Sequence, residues 1–370
     1  MYQNFRHPTA RLESTACLCI ILDLVARASS PAILGCRMKI PAIAALALAV
    51  AAPAHAEDFY KSKTLTLIVG YASGGSYDLN ARLVARHLGR FIPGSPAVVV
   101  SNMPGAGSLR SLQYVQRVAP RDGTVIEMFD FTEITNSLVT PEKVPIDFRK
   151  FAWIGSVAQD VAVCYAWNIP GVRTLSDMQH LPVIQMGRTN PGSSSDIEQK
   201  ILRKLFGVNV HSVAGYSGSA EGFIAVERGE LNGGCITWTS LPPSWISERK
   251  ITPVLRINAA NAPGLPASVP AAPDLLKDER QRKVLRLLSA AGELGKPLVL
   301  NQQVPEDRVQ ILRSAFAGMV KDRDFLADAA KMREVVSPVS GDAAEKILAE
   351  IYTSPPDIVQ AARNIASERK

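Results

Sequence analysis

Cysteine and histidine are scarce in this chain. Five of each occur among 370 residues, and beyond residue 56 only Cys164, Cys235, His87, His180 and His211 remain. Neither cysteine has a His or a further Cys at metal-ligand spacing, so the sequence supports no zinc site. Three histidines also offer little to a serine hydrolase. Gly215-Tyr216-Ser217-Gly218-Ser219 carries Ser where a nucleophile elbow ends in Gly, and nothing in the sequence fixes His211 beside Ser217. The phosphate-binding signatures are incomplete as well. Gly70 and Gly75 have P-loop spacing but are followed by Ser76-Tyr77 instead of Lys-Ser/Thr, and Gly105-Ala106-Gly107-Ser108-Leu109-Arg110 lacks the third glycine of a dinucleotide fingerprint. No cofactor is expected. Solenoid repeats and low-complexity tracts are absent. Charge is mild: the formal net value is +7, and from residue 57 onward 36 Lys and Arg face 32 Asp and Glu. Such a balance suits a small anion and excludes a nucleic-acid partner.

What the chain does have begins with an export signal. Arg37-Met38-Lys39 precedes the uncharged run IPAIAALALAVAAPAHA, which ends in Ala54-His55-Ala56 before Glu57. Residues 38–56 therefore read as a cleaved signal peptide and 1–37 as an upstream extension, which places the mature protein in the periplasm. In an oxidising compartment Cys164 and Cys235 either pair or lie buried as inert thiols. Both fall in strand-like runs, VAVCYAW and GGCITW, so a bridge between neighbouring strands is one outcome.

The chain is organised around strand–glycine loop–helix units. Leu65, Leu67, Ile68 and Val69 form an apolar β-run, the turn Gly70–Gly75 follows, and Ser76 is placed to cap a helix whose apolar face holds Leu79, Leu83, Val84, Leu88 and Phe91. The pattern recurs at Ala97–Val100 with Asn102–Ser108, and again at Val183–Met186 with Gly187–Ser195. A strand feeding a glycine turn at a helix start collects free backbone N–H groups, and the helix dipole adds partial positive charge. Each unit is thus a seat for an anion. Alternating strands and helices imply an α/β fold with mostly parallel sheets flanked by helices. Two domains are expected, 57–155 plus 288–370 and 156–287, with a ligand cleft between them at the carboxyl ends of the strands.

The export signal followed in order by YASGGSYD, NMPGAGS, PRDGT, GRTNPGSSSD, GYSGSA and SVPAAPDLL resembles the substrate receptors of tripartite tricarboxylate transporters, the Bug proteins. The resemblance spans essentially all of residues 57–370. It implies a two-domain, type II-like periplasmic binding protein that closes over a small carboxylate and passes it to membrane transporter subunits, with no catalytic activity, and acts as a monomer. The same architecture also serves periplasmic sensors that touch a receptor kinase, and that alternative stays open. Carried over by position, the candidate binding residues are Tyr71, Ser73, Gly75, Ser76 and Asp78 in the first loop and Gly105, Ala106 and Gly107 in the second. Arg188, Thr189, Ser193, Ser194 and Ser195 follow in the third, then Tyr216, Ser217 and Thr239. Ser217 replaces a common Lys and Thr239 a common Asp, so ligand identity does not transfer.

In this reading the amides of Gly75, Ser76, Ala106 and Gly107 hold one carboxylate, and the Ser76 hydroxyl both caps its helix and reaches an oxygen. Asp78 stabilises the first helical turn or contacts ligand, and the three serines cap the helix or touch ligand. Tyr216 walls the cleft. Arg188 pairs with a second carboxylate.

Overall fold

The computed structural model describes residues 59–367. The expected signal peptide and upstream extension lie outside them. Eleven strands are found among the described residues: β1 (Thr64–Val69), β2 (Ala97–Asn102), β3 (Val125–Met128), β4 (Ala152–Ser156), β5 (Ala162–Trp167), β6 (Ile184–Arg188), β7 (Val210–Ala214), β8 (Gly233–Thr237), β9 (Ile251–Arg256), β10 (Pro297–Leu300) and β11 (Val339–Ser340). They form two sheets, ordered β11-β4-β10-β3-β1-β2 and β7-β6-β8-β5-β9. In β1 the side chains of Leu65, Leu67, Ile68 and Val69 are all buried, and each contributes about 1.5–3 kcal/mol of apolar burial.

The sheets are mixed, where the sequence reading expects mostly parallel ones. β1 pairs in parallel with β2 and β3, and β6 with β7 and β8, as strand–helix–strand units require. The strands that bring the chain across from the other sheet run the opposite way. β5 arrives from the first sheet and pairs antiparallel with β8 and β9; β10 returns and inserts antiparallel between β3 and β4. Two crossings thus join the α/β lobes. Cys164 and Cys235 lie directly opposite each other on β5 and β8 and are joined by a disulfide.

The helices that position the site are α1 (Ser76–Leu88), α2 (Leu109–Arg117), α3 (Thr132–Val139), α4 (Leu175–Gln179), α5 (Ser194–Phe206) and α6 (Ser219–Glu227). On α1 the buried stripe runs through Tyr77, Ala81, Val84 and Leu88, against β1 and β2. Leu79, two residues off that stripe and so turned about 200° away, is 44% exposed, contrary to the expected apolar face. His87, a polar residue expected toward solvent, lies four residues after Leu83 and three after Val84, on the same side of the helix, and is buried. The helix Arg323–Lys331 covers it: Asp328 Oδ2 lies 2.9 Å from Nε2, and Arg90 Nη2 lies 2.9 Å from Nδ1. Trp153, Trp238 and Trp245 are all core residues.

Candidate functional site

The first loop does not use Ser76 as its cap. Gly75 is the N-cap of α1 and makes no side-chain bond, while Ser76 is the first helical residue. The loop is closed by Asp78, whose Oδ2 accepts from the Gly74 amide at 2.8 Å and from Arg82 Nε at 2.9 Å, while Oδ1 accepts from Asn102 Nδ2 at 2.9 Å. Burial pushes the Asp78 pKa up, but these three donors outweigh it and leave the group below the usual carboxylate range. Gly74 is needed there because its φ is +86°. The second lobe repeats the device. Asp196 Oδ2 accepts from the Gly192 amide at 2.7 Å, with Gly192 at φ +90°, and pairs with Lys200 at 2.7 Å and Arg188 at 3.2 Å. The chain thus carries Gly-x-x-x-Asp-x-x-x-Arg/Lys twice, at Gly74-Asp78-Arg82 and Gly192-Asp196-Lys200. In both the carboxylate is a staple, and direct ligand contact by Asp78 is not what the geometry offers.

A cavity of about 110 Å³ lies at the carboxyl ends of β1, β3, β6 and β7, lined by loops of both lobes. The starts of α1, α5 and α6 meet there. Gly75 sits so close to the start of α6 that a Cβ on it would lie 3.4 Å from Ser219 Oγ. Three helix N-termini in one place attract negative charge, and the protein supplies one such charge itself. Asp130, fully buried after β3, accepts at Oδ2 from Tyr71 Oη (2.6 Å) and from the Ser194 amide and hydroxyl (both 3.2 Å). Its Oδ1 accepts from the Thr132 amide (2.9 Å) and hydroxyl (2.7 Å). The first lobe therefore fills the anion seat of α5 with its own carboxylate, and the expectation that every helix start is free for ligand fails at this one.

What remains around the cavity is a set of polar atoms without partners. Ser76 Oγ, Arg188 Nε and Glu198 Oε2 are buried and make no hydrogen bond, and all three residues line the cavity. Glu198 is 5% exposed. Burial first, then the charges of Asp160 and Asp130, push its pKa well above the usual carboxylate range, against the opposite pull of Lys296. The neutral acid is the favoured form. Such orphaned groups are costly unless a ligand or water completes them. The lining also includes the apolar or aromatic residues Tyr165, Phe223, Val226, Leu231, Cys235 and Ile236.

No family model matches the sequence. A UPF0065 protein of Bordetella pertussis is 27% identical over 200 residues, 53% of this chain and 61% of the relative. The curated relatives are matched over 26 to 61% of their own lengths. Solved structures extend the comparison to nearly the whole described chain. The periplasmic binding protein BugD superposes with a TM-score of 0.68 at 19% identity, covering 84% of this chain and 100% of that one. The fold is that of the Bug-type periplasmic binding proteins. MatC from Rhodopseudomonas palustris, solved with bound malate, has a TM-score of 0.65 at 17% identity over 80% of this chain and 99% of its own. The likeness carried by the loop motifs is therefore also a likeness of architecture.

Within this Bug-type fold the candidate residues separate into two groups. Tyr71, Gly75, Ser76, Arg188, Thr189, Ser194, Ser195 and Tyr216 line the cavity. The others do not. Ser73 and Ser217 are exposed or at the loop edge, with the Ser217 amide donating to Glu221 Oε2 at 2.8 Å. Ser193 is buried and donates to the Asn190 carbonyl at 2.8 Å. Thr239 donates to Glu334 Oε2 at 3.2 Å, tying the second lobe to the segment before β11. The second loop also lies off this cavity. Gly105, Ala106 and Gly107 lie off the cavity wall; a Cβ on Gly107 would meet Glu133 Oε1 at 2.8 Å, so a buried acid of the protein occupies the space before that turn. Arg188 pairs at Nη1 with Asp196 while its buried Nε–H has no partner, so the guanidinium is shared between the protein and the cavity. No hydrogen bond joins Ser217 to His211 among the described residues. Asp130, Glu133 and Glu198 were missed by the sequence reading. The signal for Asp130 was its place just past the carboxyl end of a parallel strand, where ligand sites of such sheets form.

Proposed function

We propose that this chain is a periplasmic solute receptor. Its two lobes, 57–155 plus 288–370 and 156–287, close over a small organic carboxylate, and the loaded protein delivers it as a monomer to the membrane subunits of a tripartite tricarboxylate-type transporter. No reaction is catalysed. The observation that carries this reading is the pair of unpartnered buried donors, Ser76 Oγ and Arg188 Nε, in a cavity where α1 and α6 start. Hydrogen bonds from a cation or a helix start to a carboxylate contribute about 1.5–3 kcal/mol each. Structural neighbours agree in class, one solved with malate and another with adipate. Opening at the two crossings that follow β4 and β9 would release the ligand.

Thermal unfolding in the presence of organic acids, amines and neutral sugars tests this. Binding to the folded form alone adds about 2.7 kcal/mol at a hundredfold excess over Kd, so at least one small acid is expected to raise Tm by several degrees. A shift with amines or sugars and none with acids would contradict the proposal.

A further inference from the structure

The chemistry of the cavity narrows the ligand beyond a small carboxylate. Arg188 is the one cation among the lining residues, and it already shares Asp196 with Lys200. Lys296, buried nearby, faces Asp160. Asp130 adds a further carboxylate at the start of α5. Each positive group therefore already faces a carboxylate of the protein, and Arg188, with its unpartnered Nε–H, is the one cation that the lining offers to a ligand. One negative charge suits that cation. A second would lie near the Asp130 carboxylate at the start of α5, or among Phe223, Val226, Leu231 and Ile236, where no cation stabilises it. Glu198 strengthens the case from the other direction, because its unpartnered Oε2 is buried in the wall and a neutral carboxyl there can donate to the ligand.

Size points the same way. The cavity of about 110 Å³ is smaller than the dry cavity of roughly 150 Å³ that holds benzene in an engineered protein. Gly222, in the middle of α6, lines it, and a Cβ there meets no atom within 4 Å.

Resting on the receptor reading, we infer that the ligand is a monocarboxylate with a short aliphatic tail, its carboxylate at Ser76 and Arg188 and its tail against Phe223, Val226, Leu231 and Ile236. Calorimetric titration of the purified protein with propionate, isobutyrate, isovalerate, succinate and malate tests this. Affinity is expected to rise about fourfold per added methylene from propionate to isovalerate, with the dicarboxylates at least about tenfold weaker than isovalerate. Gly222→Leu, which favours helix, is expected to weaken isovalerate by about tenfold or more and propionate by less than about threefold; Gly222→Ala gives a smaller effect of the same pattern. Tighter binding of succinate or malate overturns the inference and leaves the receptor reading standing. Equal losses for isovalerate and propionate in both Gly222 variants overturn the tail placement. Failure of every acid overturns inference and reading together.

Discussion

Glu127→Gln is expected to stabilise the protein by about 3 kcal/mol more at pH 8 than at pH 5. Glu127 projects from β3, its backbone in register with Ile68 and Val299, is fully buried, and has no hydrogen-bond partner at either carboxyl oxygen. The neighbouring Ser111 hydroxyl donates to the Ser108 carbonyl instead. Burial raises the Glu127 pKa from 4.5 to about 8. The folded chain therefore holds this proton more tightly than the unfolded chain does. The stability that follows is fully present below pH 4.5 and is lost as pH rises through 8. Gln keeps the neutral shape and removes the dependence. Urea unfolding of both proteins at pH 5 and pH 8 checks it; curves that shift equally at the two pH values would show that Glu127 is already ionised in the fold.

Asp130→Ala is expected to cost about 3–5 kcal/mol in urea unfolding at pH 7, because a buried carboxylate that accepts from five donors is removed and only the Thr132 hydroxyl keeps another acceptor, the Gly192 carbonyl. Those donors belong to Tyr71 and Thr132 in the first lobe and to Ser194 in the second. The loss should be shared with a second effect: the start of α5 becomes a free anion seat, so dicarboxylates should gain affinity relative to monocarboxylates in this variant. A loss under about 1 kcal/mol, the scale of one ordinary hydrogen bond, would mean that the carboxylate is not the bridge between lobes that the geometry describes.

These two residues also mark the limit of what the sequence discloses. The strand–loop–helix units are legible because apolar runs, glycines and helix periodicity are local. Gly74, Gly192 and the helices after them are local in the same sense, and so is the alternation that yields two α/β lobes. The stapling role of Asp78 and Asp196 was readable as well, since each contacts a glycine four residues before it and a cation four residues after it. Asp130 is different. Its meaning comes from Ser194, 64 positions away in the other lobe, and no spacing encodes that. The same holds for Glu133 facing the turn at Gly107 and for Asp328, 241 positions away, which gives the buried His87 ring its partner. Mixed sheet direction escaped for a related reason, since only the crossings between lobes make β5 and β10 run against their neighbours.

The most direct measurement is a crystal structure of the protein soaked with the acid that binds best. A carboxylate oxygen is expected about 2.8–3.0 Å from Arg188 Nε, with a second oxygen within hydrogen-bond reach of the Ser76 hydroxyl. Density for the acid outside the cavity, or inside it with the carboxylate turned toward Val226 and Leu231, would contradict the account.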